Sequence, residues 1–67
     1  MIFEKALEAM RDGKRAVPTN DKTGYYHLKE SDGMQTLWWF DTITQKDYEQ
    51  FDVIVEDIIA TDWEILP

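Results

Sequence analysis

The segment Tyr25-Tyr-His-Leu-Lys-Glu-Ser-Asp-Gly-Met-Gln-Thr-Leu-Trp-Trp-Phe-Asp41 decides the fold class. Its first part, Tyr25–Lys29, alternates, placing Tyr25, His27 and Lys29 on one face of a strand and Tyr26 and Leu28 on the other. Asp32-Gly33 is the dipeptide that closes a tight hairpin. The run from Met34 to Ile43 is dense in aromatic and β-branched residues and reads as the returning strand. Neighbouring strand residues point to opposite faces, so Trp38 and Trp39 cannot both enter one core. One of these two, and one of Tyr25 and Tyr26, must lie on the face turned away from it.

Upstream, Phe3, Ala6, Leu7 and Met10 recur at i, i+3, i+4 and i+7, the spacing of one helical face. The spacing predicts a helix over Phe3–Asp12, with Gly13 placed as its left-handed stop and Arg11 suited to its negative end. Val17 ends a short strand, since Pro18 forbids continuation in a central position, and Thr19–Gly24 has loop composition.

Downstream the pattern is less decided. Thr44–Phe51 starts a helix capped by Thr44, or forms a polar loop. The run Phe51–Ile59 fits strand and helix equally. Asp57 is placed to cap a single helical turn, and Trp63–Leu66 is the last strand. The whole reads as α+β: an N-terminal amphipathic helix packed on a small, mostly antiparallel sheet, with a short helical turn before the last strand.

With 67 residues the chain is expected to be a single domain over 1–67. A core of that size is marginal, and the absence of cysteine removes disulfides and thiolate zinc sites. Self-association, as a dimer or tetramer, is the remaining remedy. A lone histidine, His27, gives no histidine metal site, and Asp52, Asp57 and Asp62, five apart, fit neither one helical or strand face nor an EF-hand. No metal or cofactor is therefore expected.

The net charge of −7 is unevenly spread. Lys5, Arg11, Lys14, Arg15, Lys22 and Lys29 balance the carboxylates of residues 1–33. Beyond them Lys46 stands against Asp41, Asp47, Glu49, Asp52, Glu56, Asp57, Asp62 and Glu64. Direct nucleic-acid binding by counterion release needs the opposite sign, although imitation of DNA does not. No run of 18 apolar residues occurs, and charges stand at the N-terminus where a signal peptide needs an apolar stretch. These features lead to the expectation of a soluble cytoplasmic protein without a membrane role.

Catalysis is not expected either. The only serine, Ser31, lies in the hairpin turn, and His27 is the only imidazole, so no nucleophile–base pair is indicated. The aromatic residues are the stronger feature. They either fill the core and a subunit interface or offer a stacking platform for a flat ring such as a nucleobase. Lys14 and Arg15 are either solvated charges or phosphate contacts to a nucleotide held by those rings.

The two ends of the chain carry a resemblance. Phe3, Glu4, Ala6, Leu7, Gly13 and Lys14 match the opening helix of the Thoeris anti-defence sponge family of small phage proteins. Asp57, Ile58, Ile59, Ala60, Asp62, Trp63 and Ile65 match the family's closing Asp-x-x-Ala-x-Asp-Trp pattern. Between the ends, Pro18 and Asp21 stand where members carry arginine and tryptophan, and Ile54 where they carry serine. The resemblance implies a homo-oligomeric sponge in the host cytoplasm. It would bind a nucleotide-type immune signal, a cyclised ADP-ribose derivative or a cyclic oligonucleotide, without cleaving it.

On that reading Phe3, Tyr25, Trp38 and Trp39 are the stacking candidates, and Lys14 and Arg15 the phosphate contacts. Asp57 and Asp62 are the candidate ribose or base acceptors; Trp63 is expected in the core, and Asp62 is harder than Asp57 to explain by packing. The alternative is an acidic protein–protein inhibitor or DNA mimic that presents the second half of the chain to a basic host protein.

Overall fold

The computed structural model describes residues 1–19 and 23–67. The element order is α1 (Phe3–Arg11), β1 (Arg15–Pro18), β2 (Gly24–Ser31), β3 (Met34–Asp41), β4 (Lys46–Glu49), α2 (Val55–Ile59) and β5 (Trp63–Leu66). The strands form one sheet in the order β4-β3-β2-β1-β5, with every neighbouring pair antiparallel. This is the expected α+β arrangement: α1 lies on one face of the sheet and a short helix precedes the last strand.

The hairpin is in full register from Gly24↔Asp41 to Ser31↔Met34. Its two turn residues, Asp32 and Gly33, both have positive φ (53° and 77°), as a type I′ turn requires. The end of α1 is also as read. Gly13 has φ 88°, its N–H bonds the Met10 carbonyl and that of Lys14 bonds Ala9, the paired closure of a Schellman motif. β1 runs one residue further than expected: Pro18, not Val17, is its last residue and pairs with Trp63, although the strand lies between β2 and β5. Its position at the strand end tolerates the missing N–H. Of the loop expected over Thr19–Gly24, residues 20–22 lie outside the described residues, and Gly24 already opens β2.

The segment after β3 differs from expectation. Asp41 accepts hydrogen bonds from the backbone N–H of Ile43 and Thr44, so the capping group is Asp41 and not Thr44. Lys46–Glu49 then returns as a fourth strand paired to β3, with Trp39 opposite Tyr48 and Phe40 opposite Asp47. Its polarity suits an edge strand, where charge discourages pairing with another chain.

The apolar run Phe51–Ile59 resolves into an irregular approach followed by one and a half turns of helix. Asp57 does not cap that helix. Ile54 holds the N-cap position without a side-chain bond, and Asp57 points inward as the buried residue of α2.

Alternation along the paired strands sorts the side chains into two faces. Toward α1 lie Ala16, Tyr26, Leu28, Leu37, Trp39, Trp63 and Ile65, joined by Phe3, Ala6, Leu7 and Met10 of the helix. Trp63 is fully buried as expected, with Phe3 at 5.3 Å and Tyr26 at 5.5 Å between ring centroids. Its backbone is also held, since Trp63 and Met1 exchange hydrogen bonds of 2.9 and 3.0 Å. A side chain of this kind contributes about 1.5–3 kcal/mol on burial, so the closing strand anchors both ends of the chain on one core.

Candidate functional site

The other face of the sheet carries no helix. In register across it stand Arg15 on β1, Tyr25, His27 and Lys29 on β2, Thr36, Trp38 and Phe40 on β3, and Asp47 on β4. Three of the rings, Phe40, Tyr25 and His27, form a connected row, and Trp38 stands opposite His27 in register. Tyr25 stacks on Phe40, with centroids 5.2 Å apart and planes inclined by 25°, and lies 5.6 Å from His27. These rings are only half-buried, so they present surface to solvent.

Two cations sit over rings of this face. The Arg15 guanidinium lies 5.1 Å from the Tyr25 centroid and donates to the backbone oxygen of Pro67. The Lys29 ammonium lies 3.9 Å from the Trp38 ring, whose indole N–H is turned to the Thr36 hydroxyl at 2.9 Å. Such contacts are worth about 0.5–1 kcal/mol each at exposed positions, enough to orient a side chain but not to lock it.

Asp47 ties the middle of the face together. Its carboxylate accepts from His27 Nε2 at 2.7 Å and from Lys29 Nζ at 2.9 Å. Burial pushes its carboxyl up, but the hydrogen bonds from His27 and Lys29, with the charges of both, outweigh that and hold it below its ordinary value. The pair of bonds spans three strands, from β2 across β3 to the edge strand β4. It fixes the His27 ring beside Tyr25 and steers Lys29 over Trp38.

Chemically, this face joins flat π-surfaces to two cations, Arg15 and Lys29, and to the carboxylates of Asp47, which Lys29 already bonds, and of Glu49, opposite Trp38. The described residues enclose no cavity, so the site is an open platform.

The sequence-predicted site residues divide. Arg15, Tyr25 and Trp38 meet on the open face, while Phe3 and Trp39 pack in the core on the opposite side, Trp39 edge-on to Tyr26 at 4.7 Å. Lys14 is exposed between α1 and β1. Asp57 is buried, accepting from the Tyr26 hydroxyl at 2.7 Å, while its backbone carbonyl accepts from the Trp63 indole at 2.8 Å. Asp62 is exposed and accepts from the Thr19 hydroxyl. Most of the closing Asp-x-x-Ala-x-Asp-Trp pattern thus serves packing, through Asp57, Ala60 and Trp63.

Phe40, His27, Lys29 and Asp47 join the face without having been singled out as site residues. For Phe40 the signal was present, because it shares the parity of Trp38 on the same strand. No family model, curated protein or solved structure matches the chain.

Proposed function

We propose that this chain is a non-catalytic binding protein that sequesters a nucleotide-derived immune signalling molecule, a cyclised ADP-ribose or a cyclic oligonucleotide, on the open sheet face. The observation that carries the reading is the Tyr25–Phe40 stack with the Arg15 guanidinium 5.1 Å over the Tyr25 ring. A base takes a place on such rings, and a pyrophosphate beside it takes the guanidinium and the Lys29 ammonium. The residues at the two ends of the chain add their likeness to the phage sponge proteins, and with it the setting of an infected host's cytoplasm.

The same reading assigns a second copy of the chain a direct part. An open platform contacts one side of a ring, and a second platform facing it would contact the other and exclude water from both. On this reading the ligand is held and released unchanged.

Native mass spectrometry with a panel of cyclised ADP-ribose compounds, cyclic dinucleotides and cyclic trinucleotides tests the proposal. Retention of one intact ligand by the wild type, and its loss in Tyr25→Ala and Trp38→Ala with folding preserved, is the expected result. Failure to retain any member of the panel would overturn it.

A further inference from the structure

The helix α2 is amphipathic in the reverse sense. It turns a carboxylate, Asp57, into the core and leaves aliphatic side chains outside: Ile54 is 60 % exposed, Val55 65 %, Ile58 44 % and Ile59 69 %. Ile54 with Ile58 and Val55 with Ile59 are each four apart, so all four side chains share one outward face of the turn. Phe51, on the approach to the helix, is 85 % exposed. Single exposed aliphatics are ordinary, but a contiguous group on one helical face marks an interaction surface.

The charges around this group specify what covers it. From Asp47 to the C-terminal residue the sequence contains no cation, and Glu49, Asp52, Glu56, Asp62 and Glu64 are all exposed. Glu56 flanks the apolar face, next to Ile59 at about 100° per residue. Across the junction with α1, Lys5 faces Glu8 at 3.6 Å and the Met1 ammonium donates to the Trp63 carbonyl, so these cations are already matched. A second copy docking α2 against α2 would set Glu56 and Asp52 against their own equivalents, and an anionic lipid surface would meet the same repulsion.

We infer that the outward face of α2 docks a basic amphipathic helix of a partner protein: an aliphatic stripe laid on Ile54, Val55, Ile58 and Ile59, flanked by lysine or arginine facing Glu56 and Asp52. Apolar contact gives the affinity, and the acidic rim sets orientation and selects the sign of the partner's charge. The surface is separate from the aromatic sheet face, so the two sites stand or fall independently.

The test uses a synthetic leucine–lysine amphipathic helix, a scrambled peptide of the same composition, and a leucine–glutamate counterpart. Isothermal titration is combined with amide chemical shifts of the full-length protein. Binding of the leucine–lysine helix alone is expected, with shifts centred on Val55–Ile59 and weakening as salt rises. Val55→Ser and Ile59→Ser, both at exposed positions, should reduce affinity about tenfold each without moving the urea midpoint.

Equal binding of the scrambled peptide, or shifts centred elsewhere, would overturn the inference. So would self-association in sedimentation that Ile59→Ser abolishes, because the face would then belong to a second copy. Binding to neutral vesicles through the same residues would assign it to a membrane instead.

Discussion

The Asp57 carboxylate accepts a 2.7 Å hydrogen bond from the Tyr26 hydroxyl inside the core, joining the short helix α2 to the central strand β2. The Asp57 carbonyl takes the Trp63 indole N–H at 2.8 Å, so one residue satisfies two large aromatic side chains by two different groups. Removing one partner of a buried hydrogen bond costs about 1–3 kcal/mol. Asp57→Ala should therefore lower unfolding free energy by about 1–3 kcal/mol, read as a shift in urea midpoint at unchanged slope. A loss well below that range would mean that the Tyr26 hydroxyl finds water or another acceptor.

Gly24 is packed closely against β3. A Cβ built there would overlap the Phe40 carbonyl oxygen and come within 2.7 Å of the Trp39 ring. Neither neighbour has room, since one is backbone and the other an indole packed on Tyr26. Gly24→Ala should destabilise by about 3 kcal/mol and loosen the start of the hairpin. Thermal unfolding gives the first quantity, and amide exchange at Tyr25 and Phe40 the second.

Much of this architecture is legible in the residues before any coordinates. The hairpin follows from alternation on both sides of Asp32-Gly33, and α1 follows from the spacing of Phe3, Ala6, Leu7 and Met10. Alternation also puts one member of each aromatic pair on the free face, and the structure selects Tyr25 and Trp38. What local sequence conceals depends on long-range pairing. Lys46–Glu49 is too polar to announce a strand, and forms one because β3 offers it a ladder.

Without β4, the link from His27 and Lys29 to Asp47 has no visible basis. Asp57 misleads for a related reason. An acid near a helix start suggests a cap, but the Tyr26 hydroxyl, 31 residues away, draws it inward.

Asp47 makes the acid sensitivity of the fold predictable in sign. Its folded-state pKa is depressed by its bonds and charge pairing with His27 and Lys29, against the upward push of burial. A depressed carboxyl contributes stability that is fully present above its unfolded value, about 3.9, and is lost as pH falls from there through the folded value. Asp47→Asn should thus be less stable than wild type at pH 6, and the gap should close as pH falls below about 4. Urea midpoints recorded from neutral pH downward check this, and a gap that stays constant would show that the contribution is not electrostatic.

Arg15 separates folding from binding on the aromatic face. Its guanidinium lies over Tyr25 at 5.1 Å and reaches the backbone oxygen of Pro67, both on the solvent side of the sheet. Exposed contacts of this kind contribute about 1 kcal/mol or less, so Arg15→Ala should barely move the unfolding midpoint. A hydrogen bond to an ionised phosphate is worth about 1.5–3 kcal/mol, and its removal should weaken retention of a pyrophosphate-containing ligand about 10- to 100-fold. Arg15→Lys keeps the charge but loses the planar fork that fits both ring and phosphate, so it should restore only part of the affinity. Titration of the three proteins with the ligand retained by the wild type orders them as arginine, lysine, alanine. An alanine variant that binds as tightly as the wild type would move the anionic part of the ligand away from Arg15, leaving Lys29, at 3.9 Å over Trp38, as the cation that receives it.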